Sequence, residues 1–318
     1  IKENKASRAG GGIYIGAKSV TYIYNNTISD NSSDNFGGGG ISLWSGTIYY
    51  GTYSYIFNNL IVNNIATCSD DSCGGGGIYC RYDTSQIYNN TIFENQAYRG
   101  GGMYVVTYDN LPPVVTNCIF WENKAIKGSE IQLESSSGSS ADITYCDIMG
   151  GWLGKGNIDE NPIFVSPENG DFHLTYSSPC IDLGNDLVIT TSEDFEGDPR
   201  IAEETVDIGA DEFYPHLYYT GDATPSGTIQ AKFVGIPGNW IDAVIMGNHI
   251  FEQPLPSNYG LWYLNDPMQI IIGLGTIPAN GIAVIPGTLH PSTPTLSTIY
   301  LQAAIDMKLT GLCTVNVQ

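Results

Sequence analysis

The residues best suited to chemistry lie between 151 and 214, where 15 acidic groups are accompanied by only 2 basic ones. Asp194, Asp198, Asp207, Asp211 and Glu212 fall in two short runs, Asp194-Phe195-Glu196-Gly197-Asp198-Pro199-Arg200 and Val206-Asp207-Ile208-Gly209-Ala210-Asp211-Glu212. Carboxylates at that density supply the oxygen ligands that Ca²⁺ takes, and Ca²⁺ is the one cofactor these residues suggest. Their spacing matches no D-x-[DN]-x-[DN]-G loop. A structural alternative stands beside the metal: Arg200 pairs with Asp194 or Asp207 and fastens the last part of the fold.

Other reactive groups are sparse. Seven cysteines are present, with no C-x-x-C pair to hold zinc. Cys68 and Cys73 flank Ser-Asp-Asp-Ser and could close a loop disulfide in an oxidising compartment, or stay as two thiols. Cys80, Cys118, Cys146, Cys180 and Cys313 sit in apolar runs, as small buried hydrophobes do. Asn25, Asn31 and Asn89 begin Asn-x-Ser/Thr sequons. The net charge of −21 disfavours nucleic acid and anionic membrane surfaces, and it repels acidic polysaccharides unless a cation intervenes. No stretch is apolar and long enough to span a bilayer.

Positioning these groups falls to a repeat. An apolar-x-x-Asn motif recurs at Ile1…Asn4, Ile28…Asn31, Ile61…Asn64, Ile92…Asn95 and Phe120…Asn123, at intervals of 27, 33, 31 and 28 residues. Asparagine also precedes it, at Asn25-Asn26, Asn58-Asn59, Asn89-Asn90 and Asn117. A glycine cluster and an apolar residue follow, as in Gly37–Gly40 then Ile41. With 38 glycines, 21 tyrosines and no long amphipathic helical run, the class is all-β. A period near 30 suits one coil of a solenoid whose coils stack about 4.8 Å apart. Tyr22-Ile23-Tyr24, Asn26-Thr27-Ile28 and Gly40-Ile41-Ser42-Leu43 predict three short strands per coil. Asparagine tolerates the left-handed conformation and ladders with its counterparts in neighbouring coils. Asn25 and Asn89 are expected in that ladder, so a glycan there would compete with structure.

The paired glycine-cluster and IxxN motifs resemble the repeats of bacterial polymorphic outer-membrane proteins, within the pectin-lyase-like right-handed parallel β-helix superfamily. Gly170-Asp171-Phe172-His173-Leu174, Ser178-Pro179-Cys180-Ile181-Asp182 and the two acidic runs resemble the closing segment of secreted bacterial β-helix proteins. The resemblance spans residues 1–214 and implies a β-helix with a closing segment over about 143–214. From Pro215 the motif stops and β-like runs separated by turns predict an antiparallel β-sandwich over 215–318. Trp240, Trp262 and Tyr263 there either stack on sugars or fill its core.

Some proteins of this superfamily cleave polysaccharides. The signatures of an inverting hydrolase, namely Asn-Thr-Asp, Asp-Asp, Gly-His-Gly and Arg-Ile-Lys, reduce here to Asp70-Asp71, and no histidine occurs before residue 173. A lyase needs an Arg or Lys base on the helix face, whereas Lys18, Arg81, Arg99, Lys124 and Lys127 fall mostly at predicted turns. The sequence is therefore read as non-catalytic: an extracellular, cell-surface or matrix protein acting through adhesion or assembly. Its expected partners are further copies of itself or surface glycans and proteins, with a polysaccharide-binding or -degrading β-helix as the alternative. Glu3-Asn4-Lys5-Ala6 repeats Glu122-Asn123-Lys124-Ala125, so the chain opens inside a coil and reads as a piece of something longer. Either a preceding portion supplies earlier coils or a cap, or the chain begins at Ile1 and Ile1 and Asn4 mark an edge for head-to-tail stacking into a filament. Tyr49, Tyr50, Tyr53 and Tyr55 either supply an aromatic surface for a glycan or protein or pack as ordinary strand residues.

Overall fold

The computed structural model describes the backbone except at residues 18, 46–52, 69–73, 108–111, 135–137, 203, 215 and the later connecting segments, and side chains through residue 214. The chain divides into two compact units, Ile1–Leu174 with Ser178–Glu212, and Phe213–Gln318 with Thr175–Ser177.

The first unit is a parallel β-solenoid with four strands per coil rather than the three expected. The first sheet contains Lys5–Ala6, Ser32–Ser33, Ile65–Ala66, Gln96–Arg99 and Lys124–Lys127. The second contains Ile13–Ile15, Ile41–Trp44, Ile78–Arg81, Met103–Val106 and Ile131–Leu133. The third contains Val20–Tyr24, Tyr53–Phe57, Gln86–Tyr88, Val114–Thr116 and Asp142–Thr144. The fourth contains Thr27–Ser29, Leu60–Val62, Thr91–Phe93, Ile119–Trp121 and Asp147–Ile148. The first sheet escapes prediction because its strands are short and carry few apolar residues.

Register follows the repeat. Ile28, Ile61, Ile92, Phe120 and Ile148 are successive partners and form one inward column. Ile23, Ile56, Ile87, Val115 and Ile143 form another. The alternation of strand side chains sends these residues inward and their neighbours outward. Burying one such side chain contributes about 1.5–3 kcal/mol. The glycine clusters matter mainly through close approach: a Cβ on Gly76 would meet the Gln96 backbone nitrogen at 2.5 Å.

Two ladders of side chains line the corners beside the fourth sheet. In the first, Asn4, Asn31 and Asn64 each donate from both backbone N–H and Nδ2 to the Oδ1 of the next member, Asn31, Asn64 and Asn95. Asn95 does the same to Asn123. The series stops at Glu130, whose two carboxylate oxygens accept the Asn123 N–H at 3.1 Å and Nδ2 at 2.5 Å. In the second ladder Asn26 donates to Asn59 and Asn59 to Asn90. Cys118 and Cys146 then occupy the asparagine position, and Asn157 ends the series by accepting the Cys146 N–H at 2.9 Å. Cys80, Cys118, Cys146 and Cys180 are buried free thiols.

The members of the second ladder are thus Asn26 and Asn90, not the sequon residues Asn25 and Asn89. Those two hold left-handed corners at φ 53° and 52°, conformations that asparagine tolerates better than most residues.

Residues 159–212 do not simply close the solenoid's end. They run back along its flank as a strap over the outer face of the fourth sheet. Asn185 exchanges hydrogen bonds with Asn117, Thr190 bonds Tyr88, and Thr191 and the Glu193 carbonyl accept from Asn58, one coil further back at each step. An antiparallel pair, Phe164–Ser166 with Asp171–Leu174, sets Phe164 and Phe172 edge-on against Phe93 at 5.9 and 5.2 Å. Leu60, Val62, Ala210, Trp121 and Phe195 complete this second apolar layer.

The second unit is antiparallel throughout its described strands. One sheet joins His216–Gly221, Thr228–Val234 and Ile282–Thr288. A larger one joins Trp240–Gly247, Pro267–Thr276, Thr298–Ile305, Lys308–Leu309 and Cys313–Asn316, and Ile250–Ser257 pairs with Gly260–Leu264. Trp240–Gly247 and Ile250–Ser257, close in sequence, are thus two strands with different partners. Pro254 and Pro256, which lack an N–H to donate, lie in the two-stranded pair, where a ladder bond is most easily spared.

Candidate functional site

Three places on the first unit gather the groups singled out by sequence. The first is the acidic strap. Asp194 is fully buried; its Oδ1 accepts the N–H groups of Glu196, Gly197 and Asp198, and its Oδ2 that of Glu212. Asp207 accepts from the Asp182 N–H, and Glu212 from Ala202 and Asp207. These carboxylates act as local acceptors for the strap's backbone rather than converging on one point. Arg200, 1% exposed, pairs with Glu212 at 3.5 Å, and its charge also acts on Asp194. Its guanidinium also donates to the carbonyls of Asp207, Gly209, Ala210 and Asp211. The fork geometry of arginine suits such a clasp.

Asp211 is set apart from the others. Its Oδ2 accepts the Leu174 N–H at 2.7 Å, and the residue turns toward His173 and Glu196, outside the expected ligand set. Burial raises its pKa well above the usual carboxylate range, and the charge of His173 only partly offsets this. The signal in the sequence was His173 itself, the single histidine of an acid-rich segment.

The second place is the outer face of the third sheet. Tyr22 stacks on Tyr55 at 4.8 Å, Tyr24 on Phe57 at 5.0 Å, and Phe57 on Tyr88 at 5.2 Å, all nearly parallel. The strap covers Tyr88 but leaves Val20, Tyr22, Tyr24 and Tyr53 more than half exposed. Because rings stack face to face along the solenoid axis, the flank presents edges and hydroxyls. Tyr49 and Tyr50 lie outside the described residues.

The third is the outer face of the second sheet. The Arg81 guanidinium lies over the rings of Trp44 and Tyr82 at 5.0 and 5.1 Å and reaches the hydroxyls of Tyr79 and Tyr82 at 3.4 Å. Beside it Tyr79 stacks on Tyr104, and Arg99 bridges to Glu134 at 2.7 Å, with Tyr104 also bonded to Glu134. Arg81 and Arg99 are the last residues of strands, not turn residues. Burial pushes the Tyr104 hydroxyl well above its ordinary value, outside any acid–base role near neutrality, and the Glu134 bond adds to the rise.

The remaining expected groups are spread out. Ile1 and Asn4 bond the second coil, through the Ile1 amino group to the Thr27 carbonyl and through Asn4 to Asn31. Cys68 is disulfide-bonded, while Cys73, Asp70 and Asp71 lie outside the described residues. Asn31 is fully buried in the ladder and Asn89 is 1% exposed, so neither has room for a glycan; Asn25 is exposed. The side chains of Trp240, Trp262 and Tyr263 also lie outside the described residues.

Stacked parallel coils with an isoleucine core, two amide ladders and outward-facing aromatic rows define a β-solenoid protein. The profile of the right-handed β-helix region family matches residues 1–166, more than half of the chain, and the chain belongs to that family. No curated protein and no solved structure matches it.

Proposed function

We propose that this right-handed β-helix protein works at a cell surface or in an extracellular matrix, as an adhesive or structural element. The exposed aromatic rows of the third sheet carry the reading. Val20, Tyr22, Tyr24 and Tyr53 form a rigid surface of apolar rings and hydroxyls, held at coil spacing by the register of Val20–Tyr24 on Tyr53–Phe57. Rigid amphipathic tyrosines give contact area at low entropic cost. The disulfide at Cys68 supports an oxidising, extracellular setting. Surface glycans or proteins are the proposed partners. Self-assembly into filaments is a further form of the same reading, checked by electron microscopy across a concentration series.

The test is retention of the purified chain on glycan arrays and on immobilised matrix proteins. Tyr22→Ser with Tyr53→Ser is expected to lower retention at least tenfold without changing the circular dichroism spectrum. Unchanged retention would remove the aromatic face from the reading.

A polysaccharide-binding or -degrading role is the second reading, favoured by the Trp44–Arg81–Tyr82 arrangement. Turnover of any polysaccharide in a broad panel, abolished by a single acidic substitution such as Glu134→Gln, would put it first.

A further inference from the structure

The strap brings three ligand-type groups from distant parts of the sequence to one point. Ligand atoms of His173, Glu196 and Asp211 all lie within 4.8 Å of one another. His173 comes from the strand Asp171–Leu174, Glu196 from the loop after Asp194, and Asp211 from the end of the strap. Asp171 Oδ1 meets His173 Nδ1 at 2.6 Å, which leaves Nε2 turned toward Glu196. A carboxylate on one ring nitrogen is the usual companion of a histidine that binds metal through the other.

A second observation is independent of those contacts. Asp211 is only 4% exposed; its Oδ2 accepts the Leu174 N–H, and among the described residues no lysine or arginine forms an ion pair with its carboxylate. A carboxylate buried without a paired cation is costly. Arg200, the nearest arginine in sequence, is occupied by four backbone carbonyls and Glu212.

We propose that His173, Glu196 and Asp211 form a binding site for a divalent cation of the Zn²⁺ class. His173 Nε2 and one oxygen from each carboxylate are the ligands, with Asp171 as the positioning residue. One imidazole with two carboxylates suits Zn²⁺ better than Ca²⁺, which takes oxygen ligands alone and more of them. Ligands about 2.0–2.2 Å from a tetrahedral ion stand closer together than the present spread, so binding draws the groups inward. The exposed Glu196 side chain has the freedom to move. The ion would tie the antiparallel pair, the acidic loop and the end of the strap together, a structural role independent of the adhesive reading.

The experiment is isothermal titration of the EDTA-treated full chain with ZnCl₂, alongside Glu196→Gln and His173→Gln. The unsubstituted chain is expected to bind one equivalent and to melt at a higher temperature when loaded. Both variants should weaken that binding at least tenfold, and Co²⁺ should give a visible absorption band that His173→Gln removes. Glu196 is exposed, so its variant keeps the test meaningful should His173→Gln fail to fold. The absence of saturable binding would overturn the proposal and leave His173 as an imidazolium clamped between Asp171 and Glu196. So would binding unchanged in Glu196→Gln, which would place the ion elsewhere, for instance on His216, His249 or His290.

Discussion

Each buried ladder asparagine has its amide committed several times over. Asn64 Nδ2 donates to the Ile28 and Val62 carbonyls and to Asn95, while its Oδ1 accepts twice from Asn31. Asn64→Ala orphans buried groups in three coils and should cost about 3 kcal/mol in urea unfolding, since each orphan costs about 1–3 kcal/mol. Asn25→Ala, at an exposed corner, should cost about 1 kcal/mol through left-handed strain alone. Glu130 is the acidic end of the first ladder, and burial lifts its pKa to about 7. Burial likewise lifts Asp147 to about 7 and Asp83 to about 6. These groups hold their protons more tightly in the folded chain than in the unfolded one. Their stabilisation is therefore complete below pH about 4 and is lost as pH rises toward about 7. The melting temperature is expected to fall between pH 5 and pH 8, and Glu130→Gln to flatten that fall; a profile unchanged by Glu130→Gln would count against it.

The strap behaves as an element in its own right, attached to the solenoid by the Phe93–Phe164–Phe172 cluster and clasped by Arg200. Arg200→Met leaves four carbonyls and Glu212 without their buried partner, a change that costs about 3–5 kcal/mol where a buried pair is broken. The penalty falls on the strap. Hydrogen exchange is expected to speed up across residues 180–212 while the strands of the second sheet stay protected. Uniform loss of protection would instead mean that strap and solenoid unfold as one. The need for Arg200 to meet acidic groups was legible, because it is one of only two basic residues between 151 and 214. Its partner was not, since Asp194, Asp207 and Glu212 are chemically alike and only chain path distinguishes them.

The solenoid as a whole is a one-dimensional stack in which each coil contacts its neighbours. Ile92 lies in a middle coil with no exposed surface, between Ile61 and Phe120. Ile92→Ala opens a cavity on both sides and should cost about 2–5 kcal/mol. The solenoid core and the layer under the strap are built from residues within the first unit. Residues 1–214 expressed alone are therefore expected to melt cooperatively and to keep the hydrogen-exchange pattern seen in the full chain. A molten product would show that the second unit is needed for folding.

Across these scales, what the residues announced in advance was whatever repeats. A side chain in a stacked coil meets its equivalent one coil away, so the isoleucine columns, the buried Asn31, Asn64 and Asn95, and the all-β class are written as a period near 30. Contacts that do not repeat had no such signature. The two-residue strands at Lys5–Ala6 and Ser32–Ser33 are too short to announce themselves, and they became strands only when neighbouring coils aligned them. The strap's path along the fourth sheet depends on Phe164 and Phe172 finding Phe93. The meeting of His173 with Glu196 and of Leu174 with Asp211 joins residues 23 and 37 positions apart. Nearest-neighbour stacking is a local rule that a sequence can state again in every coil; which single acidic side chain reaches a given histidine depends on where the whole chain has already folded.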